Sequence, residues 1–444
     1  MYSLRIVLVF LLFSDVVLAD DMTDDGVYVT RAEFDAFLRQ YRREQLSVVP
    51  EITPKPCMAW KKGKFTFTPY GYINISLAYE TAKSTVGDYA VYAMSSDISG
   101  YGTGAFFIDP RSTRLGMKVD GPGLPCWSGS KTQGVVEFDF QGAYTLRNRG
   151  SLLFRKACVS VSDKNTRFLA GQDWEVISPL YPATLDYTAG AGVGNLGFRR
   201  TMLEAEHRFD LNRESDFLVQ FALADNILRD GFNDGGITPN VGSWPIIEGR
   251  AACTFGKGVF EHGKPMTLGV SGHIGEQQMD FVDGGVRSRR YFRTWSLNYD
   301  FDIPITKKLG FKAEYFIGEN LGSFEGGILQ GIDVVRRDTI RTMGGWAQFQ
   351  YQWTPKLQTN MCCLIDDPFD EDLVGGNSPD RRSRTYSHCL FFNILYNWTD
   401  ALMTGFEVDF WRTHWQQYNS ATQTISSLHP AAMTRFEFVT RFTF

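Results

Sequence analysis

Residues Met433–Phe444 read MTRFEFVTRFTF, with apolar and polar side chains alternating up to the last residue. Successive side chains of an extended chain point to opposite faces. Phe436, Phe438, Phe442 and Phe444 therefore share one face, and Arg435, Glu437, Arg441 and Thr443 share the other. A half-buried sheet in a soluble protein would give the same alternation. An aromatic at the terminus suits instead the closing strand of a transmembrane barrel, whose outer face meets lipid and whose inner face meets water.

The other end of the chain agrees. Arg5 precedes the apolar run Ile6 to Phe13, and Val17, Leu18 and Ala19 offer small and apolar residues before Asp20. Residues 1–19 thus read as a secretory signal, and the run is short for a membrane anchor, with Asp15 interrupting its end. No later segment approaches the roughly 20 apolar residues of a helical span. The composition has 43 glycines, 14% aromatics and a mean hydropathy of −0.21, which describes abundant apolar side chains that are never strung together. A barrel needs that distribution because only alternate residues touch hydrocarbon; a secreted sandwich array or propeller is the competing architecture. The net charge of −5 gives no reason to invoke nucleic acid.

Residues 20–56 differ from the rest of the chain. Thr30 and Glu33 have capping-box spacing, and Phe34, Phe37, Leu38 and Tyr41 recur at helical spacing, which predicts a short periplasmic helix. Its apolar stripe suits either a trimeric coiled-coil stub or packing on the barrel. Pro50, Pro54 and Pro56 mark an extended linker. Residues 57–444 form the barrel domain. From Phe65 onward the period is two: Phe65, Phe67, Ile73, Ile75, Leu77 and Tyr79 oppose Thr66, Thr68, Tyr70, Asn74, Ser76 and Glu80. The same alternation recurs at residues 217–226, 295–301, 309–317 and 347–353. It predicts an all-β fold, an antiparallel transmembrane barrel of about sixteen strands. Short links near residues 302–306, 354–355 and 399–400 alternate with long polar ones near 81–109, 229–245, 322–338, 367–384 and 416–430, the pattern of periplasmic turns and extracellular loops. Trp353, Trp398 and Trp415 at strand ends suit the interfacial girdles.

Residues 171–200 form the richest connection. Its Trp174, Ile177, Leu180, Tyr181 and Leu185 would be costly on an exposed loop, so the segment is expected to fold into the lumen as a constriction that includes Asp173, Trp174, Tyr181 and Asp186. Gly190, Gly192 and Gly194 do not make a nucleotide loop, because a strand comes after them rather than a helix.

Asp109-Pro-Arg-Ser-Thr-Arg-Leu-Gly116, Val136-Glu-Phe-Asp-Phe140, Ala170-Gly-Gln-Asp-Trp174 with Ser178-Pro-Leu180, and Gly194-Asn-Leu-Gly-Phe-Arg-Arg200 resemble, in order, the DcaP-like family of trimeric outer-membrane porins. The motifs cover roughly residues 65–210. The resemblance implies a sixteen-stranded barrel, a periplasmic helical extension, a homotrimer in the cell outer membrane among its lipids, and passive uptake of small, often anionic solutes such as dicarboxylates. Seven cysteines and a rather short extension depart from that pattern.

Charges along a narrow aqueous path set porin selectivity. Arg111, Arg114 and Lys118 lie in or beside one strand; Arg155 or Lys156, Arg199 or Arg200, and Arg250 are further candidates for the wall. Glu137 and Asp139, with Glu204, Glu206 and Glu248, could lie near them. Guanidinium groups grip carboxylates by paired hydrogen bonds, so an arginine cluster favours anionic, carboxylate-bearing solutes. The bland alternative is that these residues form structural ion pairs across the wall. Arginine runs in the outer loops suit solvated charge or lipopolysaccharide phosphates. Cys57 and Cys126 flank the first strands on the periplasmic side and are the candidate disulfide pair; Cys362 and Cys389 share lumen parity on neighbouring strands. No Cys and His spacing suits a metal, and no cofactor or reaction is implied. A lipase-type barrel enzyme and a surface scaffold or adhesin with a closed lumen are the competing functions.

Overall fold

The computed structural model describes residues 59–444 apart from 83, 87–88, 98–102, 143–149, 213, 227–237, 241–242, 257–264, 284–285, 334, 374–381 and 420. The signal segment, the extension, the linker and Cys57 lie outside the described residues.

Sixteen antiparallel strands close into one barrel. They are β1 (Phe65–Glu80), β2 (Arg114–Gly121, extended upward by Ala105–Asp109), β3 (Lys131–Asp139), β4 (Leu153–Ser162), β5 (Thr166–Trp174), β6 (Arg199–Asp210), β7 (Asp216–Ala224) and β8 (Ile246–Phe255). The second half comprises β9 (Met266–Asp283), β10 (Val286–Pro304), β11 (Leu309–Glu319), β12 (Arg341–Thr354), β13 (Leu357–Pro368), β14 (Arg382–Asn397), β15 (Leu402–Asn419) and β16 (Ala431–Thr443). Each strand pairs with its sequence neighbour, and β16 returns to β1 with Phe438 opposite Leu77. The closing strand is the C-terminal segment whose alternation suggests the barrel.

Closure leaves no edge with unpaired backbone groups, which hydrocarbon could not satisfy. The parity agrees with the sequence reading: Phe436, Phe438, Phe349, Tyr315 and Ile75 are exposed on the outside, while Arg435, Glu437, Gln348, Glu314 and Ser76 are buried inside. A charge on the lipid side costs about 2–4 kcal/mol at the bilayer midplane, which enforces this sorting. Trp353 and Trp398, beside the short turns, are exposed as girdle residues should be. Trp415 is the exception: it is 5% exposed and its indole N–H donates to the carbonyl of Ala93, 3.0 Å away, inside the barrel.

Turn lengths segregate in large part: the links at 163–165, 305–308, 355–356 and 398–401 on one rim are tight, those at 122–130 and 256–265 on the same rim are longer, and most connections on the other rim are long. One outer connection departs from the pattern. β9 and β10, of 18 and 19 residues, continue pairing until only residues 284–285 join them, so a tall hairpin stands in place of a long loop.

Three outer connections instead fold inward. In the first, Ser84–Val86 pairs with Tyr89–Ala93 as a small hairpin. The third, residues 175–198, crosses the lumen. In the sixth, residues 320–340, two single-turn helices precede a two-residue hairpin. These loops pack against an apolar sector of the inner wall: Trp346, Leu364, Cys389, Phe391, Trp411, Trp415 and Met433 form one buried cluster with Tyr92, Leu180, Val193 and Ile328 of the loops. Ile328, a β-branched residue at φ 51, is held there by Asp366, which accepts its N–H, and by Arg384, which donates to its carbonyl.

Candidate constriction site

The third loop is fastened to the wall by side chains from half the barrel. Glu248 of β8 accepts the N–H of Val176 at 3.1 Å, and Ser271 and Asn298 of β9 and β10 donate to the carbonyl of Ile177 at 2.8 and 3.1 Å. Glu314 of β11 accepts from the Ser178 hydroxyl at 2.9 Å and the Leu180 N–H at 2.7 Å. Gln348 of β12 accepts the Ala183 N–H at 2.7 Å, and Asn393 of β14 donates to the Ala183 carbonyl at 2.7 Å. Glu407 of β15 takes four donors: the Thr184 hydroxyl at 2.6 Å, the N–H groups of Leu185 and Asp186 at 2.9 Å, and the Asn393 amide at 2.6 Å. Tyr187 then reaches back to β3, donating to Asp139 at 2.9 Å. A buried loop must have its backbone groups satisfied, and here the wall carboxylates and amides supply the partners.

Of the predicted constriction residues, Tyr181 and Asp186 lie along this course, whereas Asp173 and Trp174 are the last residues of β5, where pairing with β6 continues to Arg199. Asp173 meets Lys156 at 3.2 Å, Trp174 and Tyr181 have ring centroids 6.2 Å apart, and Asp186 faces Arg435 at 3.5 Å. Gly190, Gly192 and Gly194 all have positive φ. At Gly194 an added Cβ would sit 2.7 Å from the carbonyl of Gly345 and 2.8 Å from the Leu364 Cβ, so the run permits close approach of loop to wall.

Most of the predicted wall cations are ion-paired. Arg111 binds Asp109 at 3.0 Å; Arg155 binds Glu137 at 3.1 Å and Asp139 at 2.9 Å; Arg250 grips Asp300 through two nitrogens at 2.7 and 3.0 Å. Arg200 pairs with Glu175 and also donates to the Ser323 carbonyl at 2.7 Å, tying the third loop to the sixth. Arg199 differs. It is 3% exposed and lies over the rings of Phe198 and Trp174, 4.2 and 5.1 Å from their centroids, yet its Nε and one terminal nitrogen have no hydrogen-bond partner among the described residues. Arg155, Arg114, Tyr187 and Asp139 are within its electrostatic reach.

Below this arginine runs a ladder of cations on aromatic faces. Arg114 and Arg441 flank the Tyr72 ring at 5.2 and 4.5 Å, and Lys118 lies 5.5 Å from the centroid of Tyr70. Lys118 and Arg441 are half-buried, whereas Arg114 and Glu137 are buried. Arg441, and Arg435 with its partners Glu80 at 2.6 Å and Glu437 at 2.9 Å, are members of the site that sequence reasoning misses. The lumen parity of the final strand is the available signal.

At the turn rim, Asp163 accepts the backbone N–H groups of Asn165 and Thr166 and the Trp127 indole N–H at 2.9 Å. Burial alone would raise its pKa, but these donors outweigh it and hold the carboxyl below the ordinary range. Cys126 beside it is exposed. No group of His, Cys, Asp and Glu suited to a metal occurs among the described residues.

Comparison with solved structures places this architecture. The outer-membrane channel DcaP of Acinetobacter baumannii superposes with a TM-score of 0.65 at 14% identity, over 86% of this chain and 99% of that one. The fold is that of outer-membrane porins. An anion-selective porin from Comamonas acidovorans is similar at a TM-score of 0.51 and 12% identity, over 86% of this chain and 100% of its own. OmpT of Vibrio cholerae matches at 0.51 and 11%, over 87% of this chain and 100% of its own. No protein-family model matches the sequence, and no curated protein matches it.

Proposed function

We propose that the barrel is a diffusion channel for small hydrophilic, anionic solutes bearing carboxylates, not an enzyme, and that it works as a homotrimer in the outer membrane. The observation that carries the reading is the pairing of a pinned lumen loop with an arginine, Arg199, two of whose nitrogens have no hydrogen-bond partner among the described residues. The folded-in loops and the two apolar clusters behind them crowd the upper parts of β12–β16, β4–β8 and β11, leaving the polar path beside the lower part of β16 and β1–β3. There Lys118, Arg441 and Arg114 lead toward Arg199. A buried N–H without a partner costs about 1–3 kcal/mol. A passing carboxylate offers that partner transiently, favouring entry of an anion without holding it. Glu137 and Asp139 compensate Arg114 and Arg155 and keep the site from becoming a tight anion trap.

The trimer rests on the sequence resemblance and on the sixteen-stranded fold. The dense packing of three loops inside the barrel favours one other reading, a closed scaffold. Liposome swelling separates them. Vesicles holding the purified protein should swell in a four-carbon dicarboxylate faster than in an uncharged polyol or a diamine of equal size. Equal rates would refute anion preference, and no swelling with folded protein would favour the closed barrel.

A further inference from the structure

The outer surface of the barrel carries a cationic patch unconnected with the lumen. β13–β15 present alternating outward residues: Met361, Cys363 and Ile365; Ile394, Phe392, Leu390 and then His388; Phe406, Val408, Phe410 and then Arg412. The register sets Leu390 opposite Phe410 and His388 opposite Arg412. The change from apolar to polar therefore falls at one level on both strands. That level lies about nine residues above the short turn, which at a rise of about 3.3 Å and a tilt of about 40° is about 23 Å, the height of an apolar belt. It marks the outer-leaflet headgroup region, on the rim that bears the long connections.

Four groups gather there. The Tyr386 ring lies 5.4 Å from that of His388 and 5.6 Å from that of His414. Arg412 is exposed, and its guanidinium has no ion pair or hydrogen bond among the described residues. The Nδ1 atom of His388 is buried and has no hydrogen-bond partner among the described residues. Asp367, the carboxylate that interacts with Tyr386, sits on β13, two strands from Arg412. Beside Arg412 the outward residues of β16 are the small Ala432 and Thr434, opposite Arg412 and Phe410. The wall thus has a step next to a cation with no ion pair among the described residues, directly above exposed Phe410, Leu390 and Phe392.

We propose that this patch binds the phosphate headgroup of an anionic glycolipid of the outer leaflet, with its acyl chains lying on the apolar belt below. A phosphate presents several acceptor oxygens; the fork of Arg412 supplies two donors, and Tyr386, His388 and His414 can supply others. The belt beneath selects an amphiphile over a free phosphate. This site is independent of the channel reading, because none of its residues faces the lumen.

Native mass spectrometry of the purified full-length protein in detergent tests it, using lipid A with both phosphates as probe. The wild type should retain the lipid. Arg412→Gln and the double variant Arg412→Gln/His414→Gln should retain it at least tenfold less, with the heat-dependent gel shift of a folded barrel unchanged. Arg289→Gln, at an exposed position on β10, should bind as the wild type does. Dephosphorylated lipid A should bind weakly, and inorganic pyrophosphate should not compete at equal concentration. The proposal is overturned if the Arg412 variants bind normally, if the phosphate-free lipid binds equally well, or if pyrophosphate competes fully. It is also overturned if the variants dissociate an oligomer while binding lipid normally, which would assign the face to contacts between copies.

Discussion

Replacing Glu407 by alanine should detach the middle of the third loop from the barrel wall. The carboxylate takes the Thr184 hydroxyl, the Leu185 and Asp186 N–H groups and the Asn393 amide at 2.6–2.9 Å in a fully buried position. Leaving a buried donor unsatisfied costs about 1–3 kcal/mol each. Water can reach some of these donors once the loop lifts, so the lower bound applies, about 4 kcal/mol for the four together. A local opening made easier by that amount speeds amide exchange by about three decades. Hydrogen exchange of the 183–187 segment in detergent is the primary assay, and single-channel conductance the second, since a loosened loop should raise current and add voltage-dependent flicker. Glu407→Gln keeps one acceptor oxygen and should show a smaller effect in the same direction. If E407A were folded, with exchange and conductance both unchanged, the carboxylate would not be what holds the loop, and the other wall anchors, Glu248, Glu314 and Gln348, with the apolar cluster of Leu180 and Val193 would have to suffice.

The same geometry sets three further outcomes. Arg199→Gln removes a cation whose field favours an anion and disfavours a cation by about 1 kcal/mol each at 4 Å in water, so the chloride-to-potassium permeability ratio should fall by up to about thirtyfold; the gel shift of the folded barrel should persist, since no partner is orphaned. Gly194→Ala combines φ +73 with a Cβ contact of 2.7 Å to a backbone carbonyl and should destabilise the loop by about 1–3 kcal/mol, whereas Gly134→Ala, with nothing within 4 Å, should be neutral; thermal unfolding of both compares them. Because the Asp163 carboxyl titrates lower in the folded state, its contribution is present above the unfolded pKa of about 3.9 and is lost as pH falls through the folded value; its ¹³C carboxyl signal should titrate with a midpoint below about 3.9.

The barrel is legible because lipid on one side and water on the other impose a period of two on every strand, and Phe436, Phe438 and Phe442 display it without help from packing. The lumen loop is legible for a related reason: Ile177, Leu180 and Leu185 need cover that an outer loop cannot give. Its anchors are not. Glu314, Gln348, Asn393 and Glu407 look like ordinary lumen-facing polar residues, and nothing local says that a segment far upstream will bind them. Trp415 reads as a girdle residue because it sits near a strand end. Its parity with Glu407, Asp409 and Trp411 points inward, and the inward fold of the first connection explains why an indole is stable there. Among the arginines, sequence singles out several that line the wall but neither Arg435 and Arg441 nor the division into ion-paired members and Arg199, since pairing depends on cross-strand register and on a bulge near Glu137 that realigns Arg155.

The most direct test of the central claim is the reversal potential of the reconstituted wild-type protein across a potassium chloride gradient in a planar bilayer. Stepwise conductance with a reversal potential of the sign set by chloride is expected. A potential of the opposite sign, set by potassium, would contradict the arginine-lined path while leaving the fold intact.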